Sequence, residues 1–367
     1  MSAPSERLSA LERQGLRRRL ALAEGVDLSS NDVLGLSRSP AVAEAVREAL
    51  DAGLPTGSTG SRLLSGHSSQ WVGLERRFAA WQGREASLYF GSGYAANIGL
   101  LAGLIEPGDI VLSDALNHAC IIDGLRLSRG TVRIIPHLDL GAYEAALAQT
   151  GGGAWVVVES VYSMDGDCAP LERLARLTQR YGARLVVDEA HSTGLYGAQG
   201  AGRCSELPDE LTPFASVHPC GKALGLSGGF VCADAETIEL LLNTARSFIY
   251  STAPTPMVIP ALDAAVEQIR GLGAERARPL KLAHRFRQAI GSALDVGASQ
   301  SHIVPVILGD LQRTERVAQA LAARGWFARP LRPPTVPVGT ARLRLVFRSD
   351  LTDEQVDRLA GDLLDVA

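Results

Sequence analysis

The sequence lacks several features that would each point directly to a class of function. It has no excess of positive charge. Thirty-six Lys plus Arg against 40 Asp plus Glu leave a net −4, so the electrostatic footprint of a nucleic-acid binder is missing. No uninterrupted apolar run approaches the ~18 residues needed to cross a bilayer. The polar stretch Met1–Arg19, with Glu6, Glu12 and the triplet Arg17–Arg19, has no apolar h-region, so no secretory leader and a cytoplasmic location are expected. The five cysteines (Cys120, Cys168, Cys204, Cys220, Cys232) are odd in number and form no C-x-x-C pair. That argues against a disulfide framework or thiolate zinc site and for free thiols; no metal site is expected. No repeat or low-complexity tract appears, and 38 Gly with 18 Pro is ordinary for a globular chain.

What is present is 367 residues, enough for a large core and two to three domains. Residues 4–24 are charged, with leucines at 8, 11, 16, 20 and 22, and read as a surface helix. Ser39-Pro40 starts a helix over Ala41–Ala52, and a Gly/Ser-rich loop follows from Gly57 to Ser69. From Ser87 on, short apolar runs (Ser87–Phe90, Ile110–Ser113, Val132–Ile135, Trp155–Glu159, Leu185–Asp188, Ala215–His218, Gly229–Ala233) are interleaved with helical stretches at Tyr94–Leu104, Ala142–Gln149 and Leu171–Tyr181. Unalternated strands between helices predict an α/β fold with a mostly parallel sheet buried on both faces, whose ligands sit at the carboxyl ends of the strands. After Leu262 the pattern becomes that of a smaller α+β domain. It has helices at Leu262–Gly271, Leu280–Leu294, Gln312–Arg324 and Asp353–Val366, strands at His302–Leu308 and Arg342–Phe347, and a proline-stiffened loop over Leu331–Thr340. The expected division is an N-terminal segment 1–40, a large domain 41–262 and a small domain 263–367.

Three stretches carry chemistry. In L-V-V-D-E-A-H-S-T-G a buried strand ends on Asp188, with His191 three residues later; a carboxylate there is costly unless it meets a cation. In S-V-H-P-C-G-K-A-L-G-L-S-G-G, Lys222 follows a strand and is ringed by Gly221, Gly225, Gly228 and Gly229, which suits a Schiff-base lysine. It is not a P-loop, because Ser216 stands where the first glycine belongs and Ala223 follows the lysine. In F-G-S-G-Y-A-A-N, a strand opens into a helix whose N-terminal amides suit a phosphate. Gly91, Gly93 and Ala96 also fit a dinucleotide fingerprint with Asp114 about twenty residues on, so a nicotinamide-dependent dehydrogenase is a rival reading. Lysine, strand-end carboxylate and phosphate cradle together are what pyridoxal 5'-phosphate (PLP) requires.

These stretches, with SSNDVLGL (29–36), GSTGSRLLSG (57–66), Asn117–His118, ESVYSMDGD (159–167), IYST (249–252) and RPPTVPVGTARLRL (332–345), in this order resemble the α-oxoamine synthases, a family of fold-type I PLP enzymes. The resemblance covers nearly the whole chain and implies an aminotransferase-like fold. It also implies a homodimer with shared active sites. By it, Lys222 would hold PLP covalently, Asp188 would meet the pyridine nitrogen, His191 and Ser163 would reach the cofactor's polar edge, and His118 would stack on the ring. Backbone of Gly93 and Tyr94 would meet the phosphate, with Thr252 contributing from a partner subunit. Arg344 would bind the amino-acid carboxylate, with Arg17, Asn31, Arg332 and Thr335 along the substrate end; Arg342 is taken to alternate with Arg344 along a strand, so only one of the two is expected to face the site.

RPPTVP followed by GTARLRL resembles the branch that joins L-alanine to a pimeloyl thioester, of CoA or of a carrier protein, with loss of CO2. An α-oxoamine synthase with another amino acid or thioester, and a non-catalytic member of the fold, are the alternatives. Four positions depart from the family pattern. Pro219 replaces a phosphate-binding Thr, leaving His218 or another donor to substitute. Val33 replaces a Tyr, Trp71 replaces a His, and the hairpin before SSND is missing.

Overall fold

Five-residue apolar segments without polar alternation are stable only where both faces are covered, and the chain folds to cover them. The computed structural model describes residues 3–367. In chain order its strands are β1 (Val26–Asp27), β2 (Ala86–Phe90), β3 (Ile110–Asp114), β4 (Thr131–Ile135), β5 (Trp155–Glu159), β6 (Arg184–Asp188), β7 (Ala215–Pro219), β8 (Gly229–Ala233), β9 (Ile303–Gly309), β10 (Trp326–Phe327), β11 (Pro330–Leu331) and β12 (Ala341–Val346). β2 to β8 form one sheet in the order β2-β8-β7-β6-β5-β3-β4. Neighbours are parallel except at β8, which runs antiparallel to β2 and β7. The α/β, mostly parallel expectation is therefore borne out, and every predicted strand of this sheet lies within one residue of its observed ends.

All five residues of β5 are buried. Each fully buried Val or Leu contributes about 1.5–3 kcal/mol. The helix Gly93–Leu104 is apolar around most of its circumference because it is enclosed by the sheet and by the helices Ala119–Leu127 and Ala235–Thr244. Those two helices, and Ser69–Trp81, are absent from the sequence reading. In the last, Trp71, Leu74 and Phe78 fall on one face and pack under β2 and β8. Trp71 and Val33, two of the departures, are both core residues, 1% and 2% exposed.

A second, antiparallel sheet, β11-β12-β9, has a core of its own around Phe286, Trp326, Leu343, Leu345 and Phe347. Leu28 belongs to this core, and β1 pairs with β10, so residues 26–28 are built into the C-terminal part. The N-terminal helix is shorter than expected. It runs Pro4–Arg13 and ends before Gly15, which sits at φ +66°. Beyond it the carbonyls of Arg17 and Arg19 accept from Arg332 and Arg329 instead of helix amides, and Leu20 and Leu22 lie fully exposed.

Candidate active site

The carboxyl ends of β5, β6 and β7 place Glu159, Asp188 and Pro219 along one sheet edge, with Glu159 and Asp188 in register on neighbouring strands. Because β8 is reversed, it begins at that same edge with Gly229, opposite both Pro219 and Phe90. The loop after β2 and the start of the helix Gly93–Leu104 close the row. Together they bound a cavity of about 410 Å³, within the usual range for small-molecule sites.

One wall is charged. Asp188 is 4% exposed; its Oδ2 accepts from the Asn97 amide at 2.7 Å and its Oδ1 from the Ala190 N–H at 2.8 Å. No cation pairs with it among the described residues, and burial pushes its pKa up. Lys222 lines the same cavity; burial, and then the charge of Arg344, lower its pKa, so its amine gives up a proton more readily than a surface lysine. The chain has only one other lysine, Lys281, on an outer helix. His191 is 5% exposed and held neutral by burial, and its Nδ1 has no protein partner among the described residues. His118 caps the helix Ala119–Leu127, its Nδ1 accepting from Cys120 N–H at 3.2 Å, while its backbone N–H donates to Glu159 Oε1 at 2.6 Å. Burial lowers its pKa, and a neutral ring that accepts at Nδ1 carries its proton on Nε2.

The opposite end is a helix N-terminus without side-chain bulk. A Cβ on Gly93 would lie 2.5 Å from the Pro219 Cβ, and one on Gly228 (φ +94°) 1.8 Å from the Tyr89 hydroxyl. Glycine at both lets the backbone amides come within reach of an anion.

The third wall carries an unpaired cation. Arg344 is 8% exposed. Its Nε donates to the Ser163 carbonyl and its guanidinium to Asn31 Oδ1 at 2.9 Å, with no carboxylate on it among the described residues. Burial lowers its pKa to about 10. Arg342 behaves differently. It pairs with Asp165, so only Arg344 faces the cavity, as expected, though not by strand alternation. Residues 342 and 344 are two apart and point to the same side, against the loop Ser163–Asp165; Arg342 lies farther along and finds a carboxylate.

The structure thus brings Lys222, Asp188, His191, His118, Ser163, Gly93, Tyr94, Asn31 and Arg344 around one cavity. It does not bring His218 there, which corrects the expectation that His218 replaces a phosphate donor. Its side chain points away from the cavity, unlike that of Pro219 one residue on. Its nitrogens are engaged by Thr193 Oγ1 and Ser216 Oγ, both at 2.8 Å, and it is fully buried. Thr252 is exposed and does not line the cavity. Arg17, Arg332 and Thr335 gather with Arg18 on the proline-rich loop instead: Arg332 donates to the Arg17 carbonyl at 2.7 Å and Arg18 to Thr335 Oγ1 at 3.0 Å, while Arg17 pairs with Glu12.

Sequence reasoning missed Asn97 and Glu159 as partners of Asp188 and His118. Each carries the signal of a polar residue at the end of a strand or inside an apolar helix. It also missed His137, whose ring bridges Asp114 at 2.7 Å and Asp167 at 2.6 Å. With both Asp114 oxygens taken by His137 and by the N–H groups of Leu116 and Leu138, no carboxylate is free to hold a ribose, which removes the dinucleotide reading.

The geometry fits PLP on its own terms. Asp188 is a buried carboxylate without a cation, where a protonated pyridine nitrogen is needed. His191 is a buried imidazole with an orphaned nitrogen. The helix end is cleared of side chains for a phosphate, and a lysine of lowered pKa lies on the same cavity.

Comparison with known proteins agrees. The 8-amino-7-oxononanoate synthase of Geobacter sulfurreducens is 40% identical over 96% of this chain and 94% of its own. The solved 8-amino-7-oxononanoate synthase of Francisella tularensis superposes with a TM-score of 0.81 at 26% identity, over 93% of this chain and 97% of its own. A serine palmitoyltransferase from S. paucimobilis, solved with PLP and myriocin bound, superposes with a TM-score of 0.89 at 26% identity, over 99% of this chain and 96% of its own. Residues 23–363 match the family described as aminotransferase class I and II, and the chain belongs to that family.

Proposed function

We propose that this chain is an 8-amino-7-oxononanoate synthase, joining L-alanine to a pimeloyl thioester with release of CO2 and the free thiol. The observation that carries the reading is the buried Arg344 guanidinium, which lacks an anion and faces the same cavity as Lys222 and Asp188. A guanidinium is built to take a carboxylate through two parallel hydrogen bonds. It would place the amino acid's α-carbon between Lys222 and the His118 ring.

PLP, held by Lys222, Asp188, His191, Ser163, His118 and the Gly93–Tyr94 backbone, supplies an electron sink for the carbanion left when the α-proton departs. Asp188 would hold the pyridine nitrogen in its protonated form by offering it a desolvated negative charge. His191, neutral and with Nδ1 unengaged by protein among the described residues, would orient the cofactor's polar edge. Lys222, once displaced from the cofactor by the substrate amine, would take the α-proton: burial, and then the Arg344 charge, lower its pKa, so its amine is neutral more readily than a surface lysine's. His118 lines the same cavity and would cover the ring face and exclude water. The acyl chain would run toward the proline-rich loop, where Arg17, Arg332 and Thr335 lie; in this reading the small domain 263–367 supplies both Arg344 and that loop.

A shared site in a C2 homodimer is supported by the other rim. The loop 56–60 is laced to 253–255, with Ala253 N–H donating to the Gly60 carbonyl at 2.9 Å and Ser58 to the Pro254 carbonyl at 2.9 Å. This presents Thr252 beside the exposed Leu63, Leu64 and Tyr250, an apolar rim suited to a second copy. Steady-state assay of L-alanine, glycine and L-serine against acyl thioesters of varied length tests the reading. L-alanine with the pimeloyl thioester should have the highest kcat/KM; a preference for glycine or serine, or for a long monoacyl chain, would reassign the chain to another α-oxoamine synthase.

A further inference from the structure

Four of the residues around the helix N-terminus at Gly93 bring no side-chain donor. Pro219 has neither hydroxyl nor N–H, and Gly91, Gly93 and Gly228 have no side chains. Other hydroxyls nearby have protein partners. Ser92 Oγ caps the helix, accepting from the Ala95 N–H at 3.0 Å, which fixes its oxygen at the cap and leaves its own O–H as a second donor at this end. Thr193 and Ser216 bond to His218, away from the cavity. The Tyr94 hydroxyl reaches Asp123. Ser163 sits at the other end of the cavity, beside Arg344.

Ser227 is different. It lines the cavity from an exposed position, and its hydroxyl bonds to no protein group among the described residues. Its backbone is anchored: the Tyr89 hydroxyl donates to its carbonyl at 2.8 Å, and Gly228 forms a parallel bridge with Ser92. Residues 227–229 therefore pass directly beside the start of the helix. A Cβ on Gly229 would lie 2.8 Å from the Gly93 Cα, so nothing larger than hydrogen separates the two segments.

We infer that Ser227 donates its hydroxyl to the phosphate of PLP and so supplies the side-chain hydrogen bond that Pro219 cannot. This rests on the reading of the cavity as a PLP site. It predicts that cofactor affinity here depends on position 227 as long as proline occupies 219.

Apo-protein titrated with PLP, followed by absorbance and by tryptophan quenching, tests it without any measure of turnover. Ser227→Ala should weaken the Kd by about tenfold, about 1.4 kcal/mol. Ser227→Thr, which keeps the hydroxyl, should stay within about threefold of wild type. Adding Pro219→Thr to Ser227→Ala should recover most of the loss, because either hydroxyl then serves the same oxygen. The ³¹P resonance of bound PLP should shift in Ser227→Ala and not in Ser227→Thr. Wild-type-like affinity in Ser227→Ala would overturn the inference. So would a loss confined to Ser92→Ala, which would assign the hydrogen bond to the capping serine. Failure of wild type itself to bind PLP would overturn the cofactor reading and this inference together, so the two failures are distinguishable.

Discussion

Replacing Arg344 by Met separates what this guanidinium does for stability from what it does for substrate. Without substrate, the side chain is a cation 8% exposed, holding one carbonyl and one amide oxygen and no carboxylate. Burying an ion without its counter-ion costs several kcal/mol. The two hydrogen bonds lost, accepted by Ser163 O and Asn31 Oδ1, are worth about 1.5–3 kcal/mol each because the donor is charged. The opposing contributions nearly cancel, and Met fills most of the volume, so apo-protein stability should stay level or rise. The substrate side of the account is one-directional. Two charge-assisted hydrogen bonds to a carboxylate are worth about 3–4 kcal/mol at minimum, so kcat/KM for L-alanine should fall by about 10²–10³-fold. The KM for the acyl thioester should change little. Urea unfolding of apo-protein and steady-state kinetics on the same preparation give both numbers. A stability loss of several kcal/mol with an unchanged KM for alanine would refute the reasoning and make Arg344 a structural residue.

Asp188→Asn should leave folding largely intact while lowering kcat by more than ~10³-fold, about 4 kcal/mol of barrier, because an amide cannot keep a pyridine nitrogen protonated; activity within tenfold of wild type would exclude the role. His137→Ala leaves Asp114 and Asp167 without their shared cation and should destabilise the protein by about 3–5 kcal/mol at neutral pH, read by urea unfolding. Burial alone would lower the His137 pKa, but the two carboxylates override it and hold it up at about 10, above the ~6.5 of an unfolded chain. The stabilisation is therefore complete below pH 6.5 and is lost as pH rises toward 10, so the gap between wild type and His137→Ala should narrow across that window; a gap that widens with pH would contradict a protonated bridge.

Much of this site was legible because its chemistry sits at strand ends. Apolar runs mark the strands, and the first polar residue after each run marks the sheet edge: Glu159, Asp188 and the turn before Lys222 all obey this. The reversal of β8 was not legible, since an apolar five-residue run reads the same in either direction, yet that reversal puts Gly228 and Ser227 beside the N-terminus of the helix Gly93–Leu104. The N-terminal helix was overextended because leucine spacing persists past Gly15, while the arginine carbonyls there are claimed by Arg329 and Arg332, some three hundred residues away. His218 was misassigned for want of the strand's exact phase. Moving by one residue turns a side chain to the other face, and Pro219, not His218, faces the cavity.

The account rests on Lys222 as the residue that carries the cofactor, and the composition makes that testable in one step. With Lys222 and Lys281 as the only lysines, borohydride reduction of the PLP-loaded protein followed by peptide mapping has few possible outcomes. The reduced adduct should appear on the peptide containing Lys222, together with loss of the visible absorbance band, and Lys222→Ala should abolish both adduct and turnover. An adduct on Lys281 or the N-terminal amine, or turnover surviving in Lys222→Ala, would contradict the account.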